Sequence, residues 1–235
     1  MLPLAILAGG YATRLGSLTT EIPKCLIEIN GRPFVDWQLE LLINNGYSEF
    51  IFCVSYKSDL VQEYLGNGKD RGISIQYSLD GPTQLGTGGA IQKALPKLGD
   101  KFGVMYGDSY LPTDYFVAEK KFLSSSSQAL MAVYENQNQF DSSNVEFVNG
   151  KLVNYEKGTD NKGMRHIDYG VTFFRDVAFL PWRDQSSFDL SEVCHQLAKD
   201  KQLDGYEVFE RFYEIGSIQG IEELSQYLRR VPNEL

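Results

Sequence analysis

Cysteine is scarce in this chain of 235 residues. The three that occur, Cys25, Cys53 and Cys194, lie far apart, and no C-x-x-C pair exists. That argues against both a disulfide framework and a zinc site. Cys53 lies in an apolar run and reads as a small core residue. Histidine is scarcer still: neither His166 nor His195 has a Cys, Asp or Glu partner at metal-ligand spacing, and no role is expected for either. Positive charge is in deficit, 22 Lys plus Arg against 31 Asp plus Glu, for a net charge of −9. A nucleic-acid partner needs a basic face and is not expected. A nucleotide substrate stays open, because a few local cations with Mg²⁺ can hold a triphosphate on an acidic protein. No apolar run approaches the roughly 18–20 residues that span a membrane. The first residues lack the basic start and long apolar segment of a signal peptide, so a cytoplasmic protein without membrane contact is expected. No internal repeat is visible.

What is present can build a full core: 43% of the residues are hydrophobic. The first 110 residues alternate strand and helix. Strands are expected at Leu4–Leu7, Phe50–Ser55, Ile73–Tyr77 and Phe102–Tyr106. Between them, Phe34–Asn45 follows Pro33 and stops at Gly46, Asp59–Leu65 stops at Gly66, and Gly89–Leu95 stops at Pro96. Such alternation implies an α/β fold, with a mostly parallel sheet flanked by helices. The later residues change character. Gln128–Tyr134, Val145–Val148, Leu152–Tyr155 and Tyr169–Phe174 are strand-like, with Asn149-Gly150 as a hairpin turn. Helices return at Leu190–Lys199 and Ile218–Arg229. A single domain over residues 1–235 is expected, its later part adding antiparallel strands across the ligand cleft.

Five segments carry chemistry. The first runs from Leu7 to Lys24. A buried strand ends in Gly9-Gly10, which frees the backbone to approach a ligand, and Arg14 and Lys24 supply cations ten residues apart. This is neither G-x-G-x-x-G nor a Walker A loop. Backbone N–H groups and Arg14 suit phosphate oxygens, and Pro23 stiffens the approach to Lys24. The second, residues 78–90, places Gly86, Gly88 and Gly89 in four positions, which suits backbone approach to a flat ligand. The third is Gly107-Asp108 after an apolar strand, where open α/β sheets bind ligands. An aspartate there can coordinate Mg²⁺ or serve as a turn residue. The fourth, Phe212 to Ser217, offers Glu214 as an acidic group, with Ser217 as a helix cap. The fifth holds Glu156-Lys157 and Asp168-Tyr169-Gly170, which could also be hairpin charges facing water.

Leu7-Ala8-Gly9-Gly10, Thr13-Arg14-Leu15 and Pro23-Lys24, continued by Gly31-Arg32-Pro33 and Gln38-Leu39, resemble the signature of the sugar-1-phosphate nucleotidyltransferases. The likeness is nearest to short single-domain heptose- and mannose-1-phosphate guanylyltransferases. It implies a Rossmann-like mixed sheet of the nucleotidyltransferase, GT-A-like type, with a nucleotide-binding part at 1–110 and a sugar-phosphate-binding part at 111–235. The missing Asp-x-Asp weakens the rival reading as a metal-dependent glycosyltransferase. The implied reaction is NTP plus sugar 1-phosphate giving NDP-sugar plus pyrophosphate. Arg14 and Lys24 are the implied catalytic cations. Leu7, Ala8, Gly9, Gly10, Thr13, Gln84, Gly86, Thr87 and Gly88 are the implied nucleotide contacts. Gly107, Glu156, Lys157, Asp168 and Gly170 are implied for the sugar phosphate, and Asp108 and Glu214 for Mg²⁺. The chain departs from the family pattern at Tyr11-Ala12, at Gly158 and Tyr169, and in carrying Glu214 where many members have aspartate. Guanylyl transfer to a heptose or mannose 1-phosphate for surface polysaccharide synthesis is the expectation. Uridylyl or cytidylyl transfer, or a silent sugar-nucleotide-binding subunit, are the alternatives. The oligomeric state is left open, a homodimer included.

Overall fold

The computed structural model describes residues 1–10, 22–55, 57–158 and 163–230. The chain runs β1 (Leu4–Leu7), β2 (Glu28–Ile29), β3 (Arg32–Pro33), α1 (Phe34–Asn44), β4 (Glu49–Val54), α2 (Ser58–Leu65) and β5 (Ser74–Leu79). It continues with α3 (Gly86–Leu98), β6 (Lys101–Tyr106), β7 (Ser109–Tyr110), α4 (Tyr115–Ser124), β8 (Ala129–Glu135), β9 (Val145–Val148) and β10 (Lys151–Tyr155). It ends with β11 (His166–Arg175), α5 (Leu190–Lys199), β12 (Leu203–Val208), β13 (Tyr213–Glu214) and α6 (Ile218–Arg230).

Among the described residues nine strands form one sheet, in which β10, β9, β11, β6, β1, β4 and β5 follow one another and β8 joins β11 to β12. The β6–β1–β4–β5 portion is parallel. The antiparallel pairing of β11 with β6 carries the sheet into the later residues without a break. Parallel strands buried on both faces need apolar side chains at every position. Leu4, Ile6, Phe52 and Met105 accordingly pack beneath α1, α2 and α4, while Ala5, Cys53 and Val104 pack against α3 and α5.

The two-residue strands β2, β3, β7 and β13 were not expected, and three longer elements also differ from the sequence expectation. Helix α3 starts at Gly86 and passes through Pro96. A proline in the last turn removes only one hydrogen bond, and Gly99, at φ +74°, ends the helix instead. Helix α4 was not foreseen. Its buried stripe Tyr115, Ala118, Glu119 and Phe122 includes a carboxylate, which accepts from Leu2 N–H and Tyr47 O–H. Strand β12 was also missed, because Gly205 interrupts its pattern; a Cβ there would stand 2.6 Å from the Phe147 ring.

Candidate active site

A cleft of about 390 Å³ opens at the carboxyl ends of the parallel strands. Its floor is Leu7 to Gly10 after β1 and Tyr106 to Asp108 after β6. The two loops touch. Gly107 N–H donates to Leu7 O at 3.0 Å. A Cβ at Gly107 would stand 2.8 Å from that oxygen, so only glycine fits. Ser55, after β4, donates its hydroxyl to Gly9 O at 2.6 Å. Of the residues foreseen as nucleotide contacts, Leu7, Ala8, Gly9, Gly10, Gln84, Gly86 and Thr87 line the cleft. Thr13 and Arg14 lie outside the described residues.

Lys24 opens a short 3-10 turn directly after the extended, buried Pro23. Its Nζ meets Asp108 Oδ2 at 2.8 Å, and the lysine is the less exposed partner, 18% against 31%. Glu214 arrives from the other side. The β7–β13 pairing sets it opposite Ser109, and Ile215 N–H donates to Asp108 O at 3.0 Å. The Glu214 side chain is exposed. Partial burial of its carboxyl, with the neighbouring carboxylates of Asp108 and Asp141, nevertheless pushes its pKa up to about 7, and Lys24 pulls the other way. Asp108 and Glu214, close enough for one carboxylate to raise the other's pKa, are the two residues that could hold a hard divalent cation here. Mg²⁺ takes one or two carboxylates and completes its shell with phosphate oxygens and waters. Among the described residues no cluster of three or more His, Cys, Asp or Glu could cage an ion alone, so phosphate oxygens would have to complete the set.

The second wall is the start of α3. Here the structure corrects the reason for the glycines. Gly88 is buried, and its N–H, with that of Gly89, donates to Phe188 O at 3.0 and 3.2 Å. A Cβ at Gly88 would lie 2.4 Å from the Phe188 ring, and one at Gly86 (φ +70°) 2.5 Å from Phe188 O. Glycine at 88 serves close packing against residues 186–189, so Gly88 does not line the cleft, whereas Gly86 and Thr87 do. The Thr87 hydroxyl accepts from Leu190 N–H at 2.8 Å and so ties α3 to the start of α5.

Apart from Gly107, the groups foreseen for the sugar phosphate do not line the cleft itself; Lys157 and Asp168 lie beside it, next to Tyr106. β11 changes register between Asp168 and Thr172, and Gly170 adopts φ +106° there. Gly170 N–H donates to Asp168 Oδ1 at 3.0 Å. Burial raises the Asp168 carboxyl, while Lys157 and that N–H lower it. Lys157 is exposed, with its Nζ 5.4 Å from the centre of the Tyr106 ring. Glu156 is half-buried and anchored through its N–H to Asn144 O at 2.9 Å. Lys157, Asp168 and Tyr106 thus come together. Three more cleft residues escaped sequence reasoning: Tyr106, Asp80 after β5, and Asp189, which caps α5 in a reciprocal box with Glu192. Asp189 precedes an apolar helical stripe and carries a capping signal; Tyr106 and Asp80 carry none.

A family model described as "Nucleotidyl transferase" matches residues 4–230. A D-glycero-alpha-D-manno-heptose 1-phosphate guanylyltransferase of Campylobacter jejuni is 32% identical over 196 residues, 81% of this chain and 84% of that protein. An N-acetylmuramate alpha-1-phosphate uridylyltransferase of Neisseria meningitidis is 34% identical over 114 residues, 48% of this chain and 49% of that protein. Among solved structures, HddC from Yersinia pseudotuberculosis superposes with a TM-score of 0.79 at 25% identity, covering 97% of this chain and all of that one.

Proposed function

We propose a substrate pair for this chain, which belongs to the nucleotidyl transferase family and transfers a nucleotidyl group to a sugar 1-phosphate. The pair is GTP and a heptose or mannose 1-phosphate, and the product serves surface polysaccharide synthesis. The observation that carries the reading is the Lys24–Asp108 pair at 2.8 Å, set between the glycine floor and Glu214.

In-line transfer at phosphorus needs positioning and charge neutralisation more than covalent catalysis. Lys24 stabilises negative charge gathering at the α-phosphate. Arg14 is assigned the β- and γ-phosphates, which leave as pyrophosphate. Lys157, beside Tyr106, docks the attacking phosphate, which is ionised at pH 7 and needs no general base. Asp108 and Glu214 would hold Mg²⁺, which supplies further charge neutralisation at the α-phosphate when bound. Gly107, Glu156, Asp168 and Gly170 enclose the sugar.

Two observations favour guanine. The relative that is matched over most of its length is a guanylyltransferase. Asp80 also lines the cleft, as does Gln84, and among the described residues the hydrogen bond to its carboxylate is a 3.3 Å N–H from Leu85 to Oδ2. An ionised carboxylate accepts two parallel N–H donors, and guanine is the one common base with two adjacent donors on one edge. The uridylyltransferase relative keeps UTP as the second reading. Pyrophosphate release from four NTPs against a panel of sugar 1-phosphates tests the pair. GTP with a heptose or mannose 1-phosphate should give the highest kcat/KM, and Asp80→Asn should erode the preference about 10-fold or more, the scale of one lost charged hydrogen-bond pair. A preference for UTP or CTP in the wild type would overturn it.

A further inference from the structure

Helix α1 buries Phe34, Val35, Leu39 and Leu42 along one stripe, and Gln38 stands in the middle of it, fully buried. A polar residue at such a position breaks the apolar pattern that packs a helix on a sheet. Its amide nitrogen has two strong acceptors: Tyr106 O at 3.0 Å and Ser109 O at 2.8 Å. The orientation is unambiguous, because turning the amide over would aim its oxygen at two carbonyl oxygens. The price is visible, since Gln38 Oε1 is buried with no partner among the described residues. An apolar residue would leave no such orphan but would take the donor from both carbonyls, so what the glutamine gains at this position is its hold on the turn after β6.

The two accepting carbonyls bracket Gly107-Asp108. That turn is also held from β1, through Gly107 N–H to Leu7 O, and from β13, through Ile215 N–H to Asp108 O. Gln38 supplies the third tie and joins the two ends of the turn to each other. The turn's backbone is thus held on three sides, which fixes where the Asp108 Cα–Cβ bond starts, and from there the carboxylate meets Lys24 Nζ at 2.8 Å.

We propose that Gln38 is a positioning residue for the reaction: by clamping Tyr106 O and Ser109 O with one amide, it aims the Asp108 carboxylate and so sets the Lys24–Asp108 pair. The inference rests on the reading of Asp108 as part of the catalytic cleft, but its geometry stands apart from the identity of the substrates.

Gln38→Met keeps the length and volume of the side chain and removes both donors. Its crystal structure should show the Asp108 carboxylate swung away from Lys24 Nζ. Binding of Mn²⁺ with GTP, followed by electron paramagnetic resonance without turnover, should weaken about 10–100-fold, as loss of a supporting partner does at metal sites. kcat should fall by about 10–100-fold, the scale of a 1 Å misplacement, while KM for the sugar 1-phosphate stays within about twofold of wild type. A merely structural role would lower the melting temperature and leave Mn²⁺ affinity and kcat unchanged in the folded protein at 25 °C, and that result overturns the proposal. So does an undisturbed Lys24–Asp108 contact in the variant crystal. If the wild type releases no pyrophosphate from any NTP, the reading of the reaction falls instead, and the crystal comparison still decides the role of Gln38.

Discussion

Lys24 and Asp108 lie in contact, so each sets the local charge that the other presents. Removing the lysine leaves the Asp108 carboxylate without this partner and removes the cation proposed for the α-phosphate. Lys24→Ala should therefore lower kcat by about 10²–10³-fold with an unchanged circular dichroism spectrum; near-wild-type turnover would remove its catalytic role. Glu214 adds a pH dependence. Its folded-state pKa, about 7, lies above the 4.5 of a free glutamic acid. Between those values the folded chain binds more protons than the unfolded one, so this group's contribution to stability declines as pH rises from about 4.5 to about 7. Glu214→Gln should thus melt above wild type at pH 8 and level with it near pH 4, as read by thermal denaturation at both values. A gap of equal size at both would contradict the shift. At this scale the sequence revealed the residues that belong to a motif, among them Lys24, Asp108, Glu214 and Lys157. Asp80 and Tyr106 were not visible, because single residues of common types acquire meaning only when separate strand ends converge. Gln38 was visible as part of the signature, but its partners lie 68 and 71 residues further on.

Elements place these residues, and the least obvious placement is made by packing. The glycines at the start of α3 make room for the segment that leads into α5. Gly88→Ala would set a methyl group 2.4 Å from the Phe188 ring, displacing Phe188 and with it Asp189 and the Thr87–Leu190 hydrogen bond. Overpacking of this kind costs about 1–3 kcal/mol. The expected outcome is a lower urea midpoint together with a raised KM for the nucleotide, and little change in KM for the sugar 1-phosphate. A stability loss without any change in nucleotide KM would separate this packing from the site. Most strands of the sheet were legible, since runs such as Leu4–Leu7 and Glu49–Val54 are apolar at nearly every position and stop at turn residues. The two longest missed elements share one cause, whereas β2, β3, β7 and β13 are two residues each, too short to show a period. In α4 and β12 the local pattern is interrupted by a residue chosen for a distant partner: Glu119 for Leu2 and Tyr47, Gly205 for Phe147.

For the molecule as a whole, one sheet carries both halves of the reaction. The parallel strands end at the floor of the cleft, and β11, joined to β6, brings Asp168 near Tyr106 and Lys157 beside it. Charge follows the same division. The cleft presents Asp80, Asp108 and Asp189 along with Lys24, on a chain of net charge −9. A triphosphate binding there meets carboxylates as well as cations, so its affinity should depend steeply on a divalent ion, and chelation should remove nucleotide binding as well as turnover, as isothermal titration with and without EDTA would read. The central claim is that this cleft breaks the bond between the α- and β-phosphates and passes the nucleotidyl group to a sugar 1-phosphate. The most direct test follows the label from α-³²P and γ-³²P GTP incubated with a heptose or mannose 1-phosphate. The α label should appear in the sugar nucleotide and the γ label in pyrophosphate, with both slowed about 10²–10³-fold in Lys24→Ala. A γ label recovered in the sugar phosphate or in orthophosphate would contradict the central claim.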